Sequence, residues 1–319
     1  MADYLYSISL QNQHPHDVVR LAQLTEQAGL DLVTFMDHPC NPGFFDTWTL
    51  LSYVAAKTER VRLSGYILSS AFRTPPALLA QAAASLDLLS SGRFELGIGP
   101  TDTNAWDAIE AMGGVQRTPA ESVRALSEAI EIIRGIWNVF SPGMIRIGGK
   151  HYRVSDTMRG PQPAHNISIW VPAARRHIRQ LVGRKADGWI SERAWMTDVG
   201  EKLALGNRII DEAATEAGRD PRDVRRIFDH HGSFGQARCG FLQDPPAQWV
   251  EMLLLSVIEH GVSTFILVGD DPRAIQRFGG EVTPALREAV TRDRQAAGMR
   301  TKEETKTKVA RKGGKSYLR

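Results

Sequence analysis

Four short stretches carry side chains whose types and spacing could do chemistry. Asp37-His38 directly follows an apolar run, Leu32 to Met36. A histidine at the end of a buried strand can take or give a proton near neutral pH. The same pair also reads as a helix-capping Asp beside a packing His. The stretch GIGPTDTNAWD sets Asp102 and Asn104 just past a second apolar run. Asp102 could act as an acid or base, and Asn104 could reach a ligand. Alternatively, Asp102, Thr103 and Asn104 cap the following turn, because such residues bond their own backbone well. Arg175 and Arg176 open a cationic segment that also holds Arg179, Arg184 and Lys185. Guanidinium groups at a helix start suit a phosphate, and a solvated basic helix is the other reading. His230-His231 suggests a metal, but neighbours on a strand point to opposite faces. With no third ligand in view, no metal is expected. Trp106, Trp170, Trp189 and Trp195 could wall a pocket, with core packing the default for each. No G-x-S-x-G nucleophile elbow is present.

The elements that position these residues alternate regularly. Strands are expected at Tyr4–Leu10, Leu32–Met36, Val61–Ser69, Phe94–Ile98, Ile167–Val171, Gly188–Ser191, Val224–Phe234 and Thr264–Val268. Each is a short β-branched or apolar run bounded by turn residues. Helices are expected between them, at His16–Gly29, Asp46–Thr58, Ala77–Leu89, Pro119–Trp137, Arg176–Lys185, Asp198–Ala217, Pro246–His260 and Pro272–Thr291. Pro75 and Pro76 can open the third, since a first-turn proline loses no needed N–H. Ser91-Gly92 stops it. Ile145–Val154, with Gly148-Gly149, reads as a hairpin inserted in a longer loop. Eight strands alternating with eight helices argue for an α/β fold, a (β/α)8 TIM barrel, with insertion loops at the C-terminal face of the strands. An open doubly wound sheet is the alternative. Against it, the first turn is QNQHPH and carries no G-x-G-x-x-G. In either architecture ligands sit at the carboxyl ends of the strands, where all the candidate residues fall.

The central stretch LLAQAAASLDLLSSGRFELGIG resembles the "lA…aslD.lS.GR…lGiG" pattern of the bacterial luciferase-like flavin and deazaflavin oxidoreductases. Further matching pieces run from about Ser7 to Arg294. The resemblance implies the barrel fold and a flavin-type cofactor. An Asp-His pair after strand two is typical of the branch that uses the deazaflavin coenzyme F420. It implies that Asp37 lies near the cofactor ring and that His38 serves in proton transfer. Dehydrogenases of that branch carry threonine-glycine-glutamate after strand four. Here Pro100, Thr101 and Asp102 stand on those positions, which makes Asp102 the catalytic acid. Such barrels hold a non-proline cis peptide in a bulge of strand three that supports the ring. GYILSSAFR places it at Tyr66-Ile67, with Ser69 and Arg73 following on the same face. IWVPAARRHIRQLVGRKADGWI resembles the family's strand, phosphate-binding turn and helix. Ala174 and Arg175 occupy the turn where many relatives have glycines, and Arg176 follows.

Composition bounds the rest. The chain has 319 residues, 42% hydrophobic and 24% charged, as in ordinary soluble globular proteins. No apolar run reaches the roughly 18 residues that span a bilayer, and MADYLYSISLQNQ shows no signal peptide. Cys40 and Cys239 are the only cysteines and lack metal-ligand spacing. A reducing cytoplasm is expected. Residues 300–319 hold eight Lys or Arg against two Glu, so the net +3 of the chain leaves the remainder at −3. We expect one barrel domain over 1–298 and a basic, disordered tail over 299–319. The tail reads as solvated rather than as a specific nucleic-acid binder. The partner expected is a small-molecule substrate, with no membrane, and the chain is expected to form a homodimer.

Three functions compete on these residues. One is an oxidoreductase that transfers a hydride between coenzyme F420 and a small organic substrate. The second is an FMN-dependent monooxygenase of the same family. The third is a non-catalytic flavin- or partner-binding barrel. Asp37-His38 and the ADGW strand favour the first.

Overall fold

The structure, a computed structural model, describes residues 5–10, 15–71, 73, 75–100, 106–192, 199–232, 234 and 245–296. The 299–319 tail and Cys239 lie outside these residues. The strands are β1 (Leu5–Leu10), β2 (Leu32–Phe35), β3 (Arg62–Gly65) with its short continuation β4 (Leu68–Ser69), and β5 (Phe94–Gly99). After a hairpin of β6 (Ile145–Gly148) and β7 (Arg153–Thr157) come β8 (Ile169–Pro172), β9 (Gly188–Glu192), β10 (Arg225–His230) and β11 (Val262–Val268). β1 pairs in parallel with both β2 and β11, and Leu63 of β3 sits opposite Phe94 of β5. That last pairing closes the sheet into an eight-stranded parallel barrel. Around it run α1 (Pro15–Gln27), α2 (Thr47–Ala55), α3 (Pro76–Leu89), α4 (Trp106–Ala111), α5 (Pro119–Trp137), α6 (Arg176–Lys185), α7 (Val199–Glu216), α8 (Pro246–His260) and α9 (Pro272–Arg277). A π-helical turn, Phe278–Val282, leads from α9 into a final helix over 283–296. No helix among the described residues is long and apolar enough to cross a membrane.

The strands are apolar on both faces because both faces are covered. Alternation sends Tyr6, Ile8, Leu10, Val33 and Phe35 outward against the helices. The intervening Leu5 and Leu32 join Tyr66, Trp170, Ile190, Ile227 and Ile266 in a smaller cluster inside the barrel. The seam between the first and last elements is tied by charge. Asp31 accepts the Tyr6 N–H at 3.0 Å and pairs with Arg287 of the final helix at 2.6 Å.

Several expected elements differ in detail: the hairpin runs on to Thr157, and the last helix is interrupted by the π-helical turn. The third strand breaks at Tyr66-Ile67 into β3 and β4, where the resemblance places a bulge. The seventh stops at His230, level with Leu267 of β11, and does not run on to Phe234. The hairpin is inserted after α5, at the amino end of the barrel, but it climbs back along that helix. The Glu128 carboxylate accepts the N–H groups of Lys150, His151 and Tyr152, and Lys150 pairs with Glu121 near the start of α5. Its tip is thereby delivered to the carboxyl end, where the Tyr152 hydroxyl donates to Ser70 O at 3.2 Å.

The floor of the barrel is polar and pH-sensitive. His165 lies between two buried carboxylates, with Nδ1 2.8 Å from Asp87 and Nε2 3.4 Å from Glu95. Arg62 also reaches Glu95, at 2.8 Å. The hydrogen bond to Asp87, then that to Glu95, pushes the His165 imidazole up to about 9 from 6.5. The folded value is therefore above the unfolded one. The contribution of His165 to stability is complete below about pH 6.5 and is lost as pH rises through about 9. Midpoints of urea unfolding should fall over that window. A His165→Gln protein should show a flatter pH profile there, and equal slopes in both proteins would contradict the assignment.

Candidate active site

The carboxyl end of β2 runs into a compact turn built around Asp37 and His38. The Asp37 side chain is 1% exposed. Its Oδ2 accepts the Ser69 N–H at 3.2 Å and the Arg73 Nε–H at 3.3 Å, while Oδ1 accepts from Arg73 Nη2 at 2.6 Å. Arg73 Nη1 extends the fork to Asp46, also at 2.6 Å. Asp46 caps α2 by accepting the Thr49 N–H at 2.8 Å. Burial pushes the Asp46 carboxyl up, but the Thr49 N–H and Arg73 outweigh it and hold the group below its ordinary value. Burial likewise disfavours the charged Arg73, and the two carboxylates outweigh it, so its pKa is raised. Asp37 and His38 do not bond to one another. The His38 ring meets the edge of Phe44 at 5.1 Å between centroids, and His38 O accepts the Asn41 N–H.

Beside this turn is the bulge between β3 and β4. The peptide between Tyr66 and Ile67 is cis, at the position the resemblance implies. Tyr66 N–H donates to Phe35 O at 2.7 Å, and Ser70 N–H donates to Gly99 O at 3.0 Å. The bulge is thus stitched to the ends of both β2 and β5. Two glycines permit that approach. A Cβ on Gly97 would lie 2.2 Å from Gly65 O, and one on Gly99 would lie 2.9 Å from the Pro172 ring and 3.1 Å from Ile67 Cγ2. The Tyr66 ring points into the barrel interior, while Ile67 and Ser69 are half-buried at its mouth. Pro100 ends the described part of the next loop. Thr101, Asp102 and Asn104 lie outside the described residues.

The third part of the mouth is the β8–α6 turn. Ala174, Arg175 and Arg176 are all exposed. Arg175 is the N-cap of α6 in extended conformation, with no side-chain cap bond. The first amides of a helix have no acceptor within it, which leaves this end rich in donors. Arg179, one turn on, is different. It is buried, donates to Ala173 O at 3.2 Å and stacks over Trp189 at 5.3 Å. Burial pushes its pKa down.

The structure brings Asp37, His38, Tyr66, Ile67, Ser69 and Pro100 to one region and sets Ala174–Arg176 at the same end of the barrel. Two residues named from sequence without a role take a definite place only in the structure. Arg73 is one, since its partner Asp37 lies 36 residues away. The other is Trp170, which is 1% exposed inside the barrel. Its indole N–H has no partner among the described residues. Trp189, by contrast, points outward over Gly206 of α7 and bonds to Ala173 O. Trp106 opens α4, and Trp195 lies outside the described residues. His230 packs outward among Phe228, Trp249 and Phe278. No group of three metal-ligating side chains occurs among the described residues.

A cleft of about 1360 Å³ opens at the opposite, amino end of β9, β10 and β11, lined by Asp187, Asn207, Asp211 and Arg226 among others. Its charges satisfy one another. Arg226 donates to Asn207 Oδ1 at 2.7 Å and pairs with Asp211 at 2.5 Å. Residues at that end of a barrel serve stability, and chemistry is carried by the loops at the other end. Size alone therefore does not make this cleft the candidate site.

Comparison with known proteins agrees with the barrel. The family model described as luciferase-like monooxygenase matches residues 4–238. An F420-dependent glucose-6-phosphate dehydrogenase from Amycolatopsis mediterranei (strain U-32) is 28% identical over 265 residues, which cover 81% of this chain and 77% of that protein. The protein of the same name from Mycolicibacterium fortuitum is 28% identical over 318 residues, covering 89% and 90%. Among solved structures, an F420-dependent secondary alcohol dehydrogenase in complex with an F420-acetone adduct superposes with a TM-score of 0.77 at 18% identity. The match covers 89% of this chain and 99% of that one. The EDTA monooxygenase of Chelativorans sp. BNC1 reaches the same TM-score at 14% identity, over 90% and 94%. The family match spans most of the chain, and the chain belongs to the luciferase-like monooxygenase family.

Proposed function

We propose that this protein is a coenzyme F420-dependent oxidoreductase acting on a hydroxyl-bearing carbon of a small organic substrate. The observation that carries the reading is the pairing of Asp37-His38 with the Tyr66-Ile67 bulge at the carboxyl end of the barrel. The choice of F420 follows the curated relatives, whose names specify it. The residues present fit such a group. The close approach at Gly97 and Gly99 keeps the bulge against β5. Trp170 leaves an indole donor inside the barrel, and the exposed start of α6 offers amides and two guanidinium groups.

When bound, the deazaflavin supplies the two-electron partner for a substrate carbon. Tyr66, Ile67 and Ser69 would form the wall for its ring. Arg175 and Arg176, with the α6 amides and the turn at Ala174, would hold phosphate. Pro100, Thr101 and Asn104 belong to the loop that would meet cofactor or substrate, and Asp102 on that loop is the candidate second acid. His38 would take the proton of the substrate hydroxyl when that carbon is oxidised by the bound deazaflavin, and would return it in the reverse reaction.

The test is turnover with glucose 6-phosphate and with simple secondary alcohols, followed by loss of the deazaflavin absorbance. F420-linked reduction with any of these supports the reading. Oxygen uptake with reduced FMN and no F420 turnover would replace it with the monooxygenase reading, which the fold of the EDTA enzyme accommodates equally well. The phosphate site has its own test. Replacing both Arg175 and Arg176 by Ala should weaken F420 binding about tenfold or more, since charge-assisted bonds contribute about 1.5–3 kcal/mol each. The loss should be larger at low salt. Unchanged affinity in a fluorescence titration would remove both arginines from the site.

A further inference from the structure

We infer that Arg73 is a positioning residue, whose guanidinium clamps Asp37 and Asp46 together and so fixes the turn that carries His38. The inference rests on the oxidoreductase reading only for its effect on turnover.

The geometry is specific. Arg73 is 15% exposed and spends three of its donor positions on two carboxylates. Nε and Nη2 grip Asp37 as a fork, and Nη1 reaches the N-cap of α2. Asp37 has both oxygens engaged and no bond to His38, so it does not orient the imidazole side chain to side chain. Its influence runs through the backbone. Asp37 is anchored to the bulge through Ser69 N–H. On one side of it Met36 O accepts the Thr47 hydroxyl at 2.9 Å, and on the other His38 O accepts the Asn41 N–H. His38 is therefore set by a turn whose two ends, Asp37 and Asp46, are both held by Arg73. Without the cation, two carboxylates would face each other in a partly buried site and repel. A lysine could compensate charge at one point, but it could not fork across both acids.

Turnover responds steeply to such placement. A shift of about 1 Å in a catalytic group can cost ~100-fold in rate. Arg73→Gln should lower kcat with F420 and glucose 6-phosphate by about 10- to 100-fold while the KM for F420 changes less than about threefold. Arg73→Lys should recover part of that loss. The His38 ring resonances of the cofactor-free protein should move in Arg73→Gln and Asp46→Asn. They should stay in place in Arg62→Gln, which breaks a pair on the barrel floor. If Arg73→Gln does not fold, Arg73→Lys and Asp46→Asn carry the same test. Wild-type His38 resonances together with wild-type kcat in those variants would overturn the clamp. If the wild-type protein shows no F420-linked turnover, the functional reading fails and the clamp is judged by the resonances alone, where an unmoved His38 overturns it.

Discussion

Replacing His38 by asparagine should cut turnover by about 10²–10⁴-fold and leave F420 affinity nearly unchanged. The reason is chemical rather than steric. Hydride transfer to or from a hydroxyl-bearing carbon must be accompanied by a proton, and an imidazole exchanges protons near neutral pH whereas an amide does not. Asparagine keeps a hydrogen-bonding side chain of similar reach. The Asn41 N–H bond to the residue-38 carbonyl and the Asp37–Arg73 pair do not involve the imidazole and would persist. An interaction made only in the transition state lowers kcat and kcat/KM together. Steady-state kinetics beside an equilibrium titration separates the two effects. A variant with full turnover would take His38 out of the chemistry.

The second large effect concerns stability. Asp87 is wholly buried at the end of α3, and its oxygens accept the Phe94 N–H at 3.3 Å, the His165 N–H at 3.1 Å and a bond to His165 Nδ1 at 2.8 Å. It ties α3, the start of β5 and the segment entering β8 together. Asp87→Leu would leave two backbone donors without an acceptor and take from the His165 imidazole the nearer of its two carboxylates. Removing one partner of a buried pair typically costs about 3–5 kcal/mol, and about 2–4 °C in melting temperature accompanies each kcal/mol in a domain near this size. A fall of roughly 10 °C is expected, visible by calorimetry. A change within a degree or two would mean that water replaces the carboxylate at no cost. Asp87→Asn should fall between, since it retains an acceptor for one N–H but loses the charge opposite His165.

Much of this architecture is legible from residue order alone. The eight apolar runs and the helices between them follow from local periodicity, and their number favours a barrel, but closure itself is the pairing of β3 with β5, which no local pattern marks. The Asp37-His38 pair is legible as lying at the carboxyl end because it abuts a strand end, and a role for it comes only through the resemblance. What sequence does not carry is pairing across the barrel. Nothing local to Arg73 marks Asp37 as its partner, and nothing near His165 marks Asp87, 78 residues earlier. The facing of tryptophans is hidden for the same reason. Trp170 and Trp189 each sit second in a short apolar strand, and only the register of the closed sheet turns one inward and the other out. The direction of the hairpin is also invisible, because it is set by one carboxylate, Glu128, gripping three amides of its tip. The cap of α6 is equally hidden, because Arg175 takes the N-cap in extended conformation without a side-chain bond to mark it.

Every functional step proposed above rests on deazaflavin binding at the mouth of this barrel. That binding is read by an equilibrium titration of the purified protein with F420 and, separately, with FMN, followed by cofactor fluorescence. Saturable F420 binding at least about tenfold tighter than FMN is expected, a preference worth roughly 1.4 kcal/mol. FMN binding tighter than F420, or no saturable binding of F420, would contradict it.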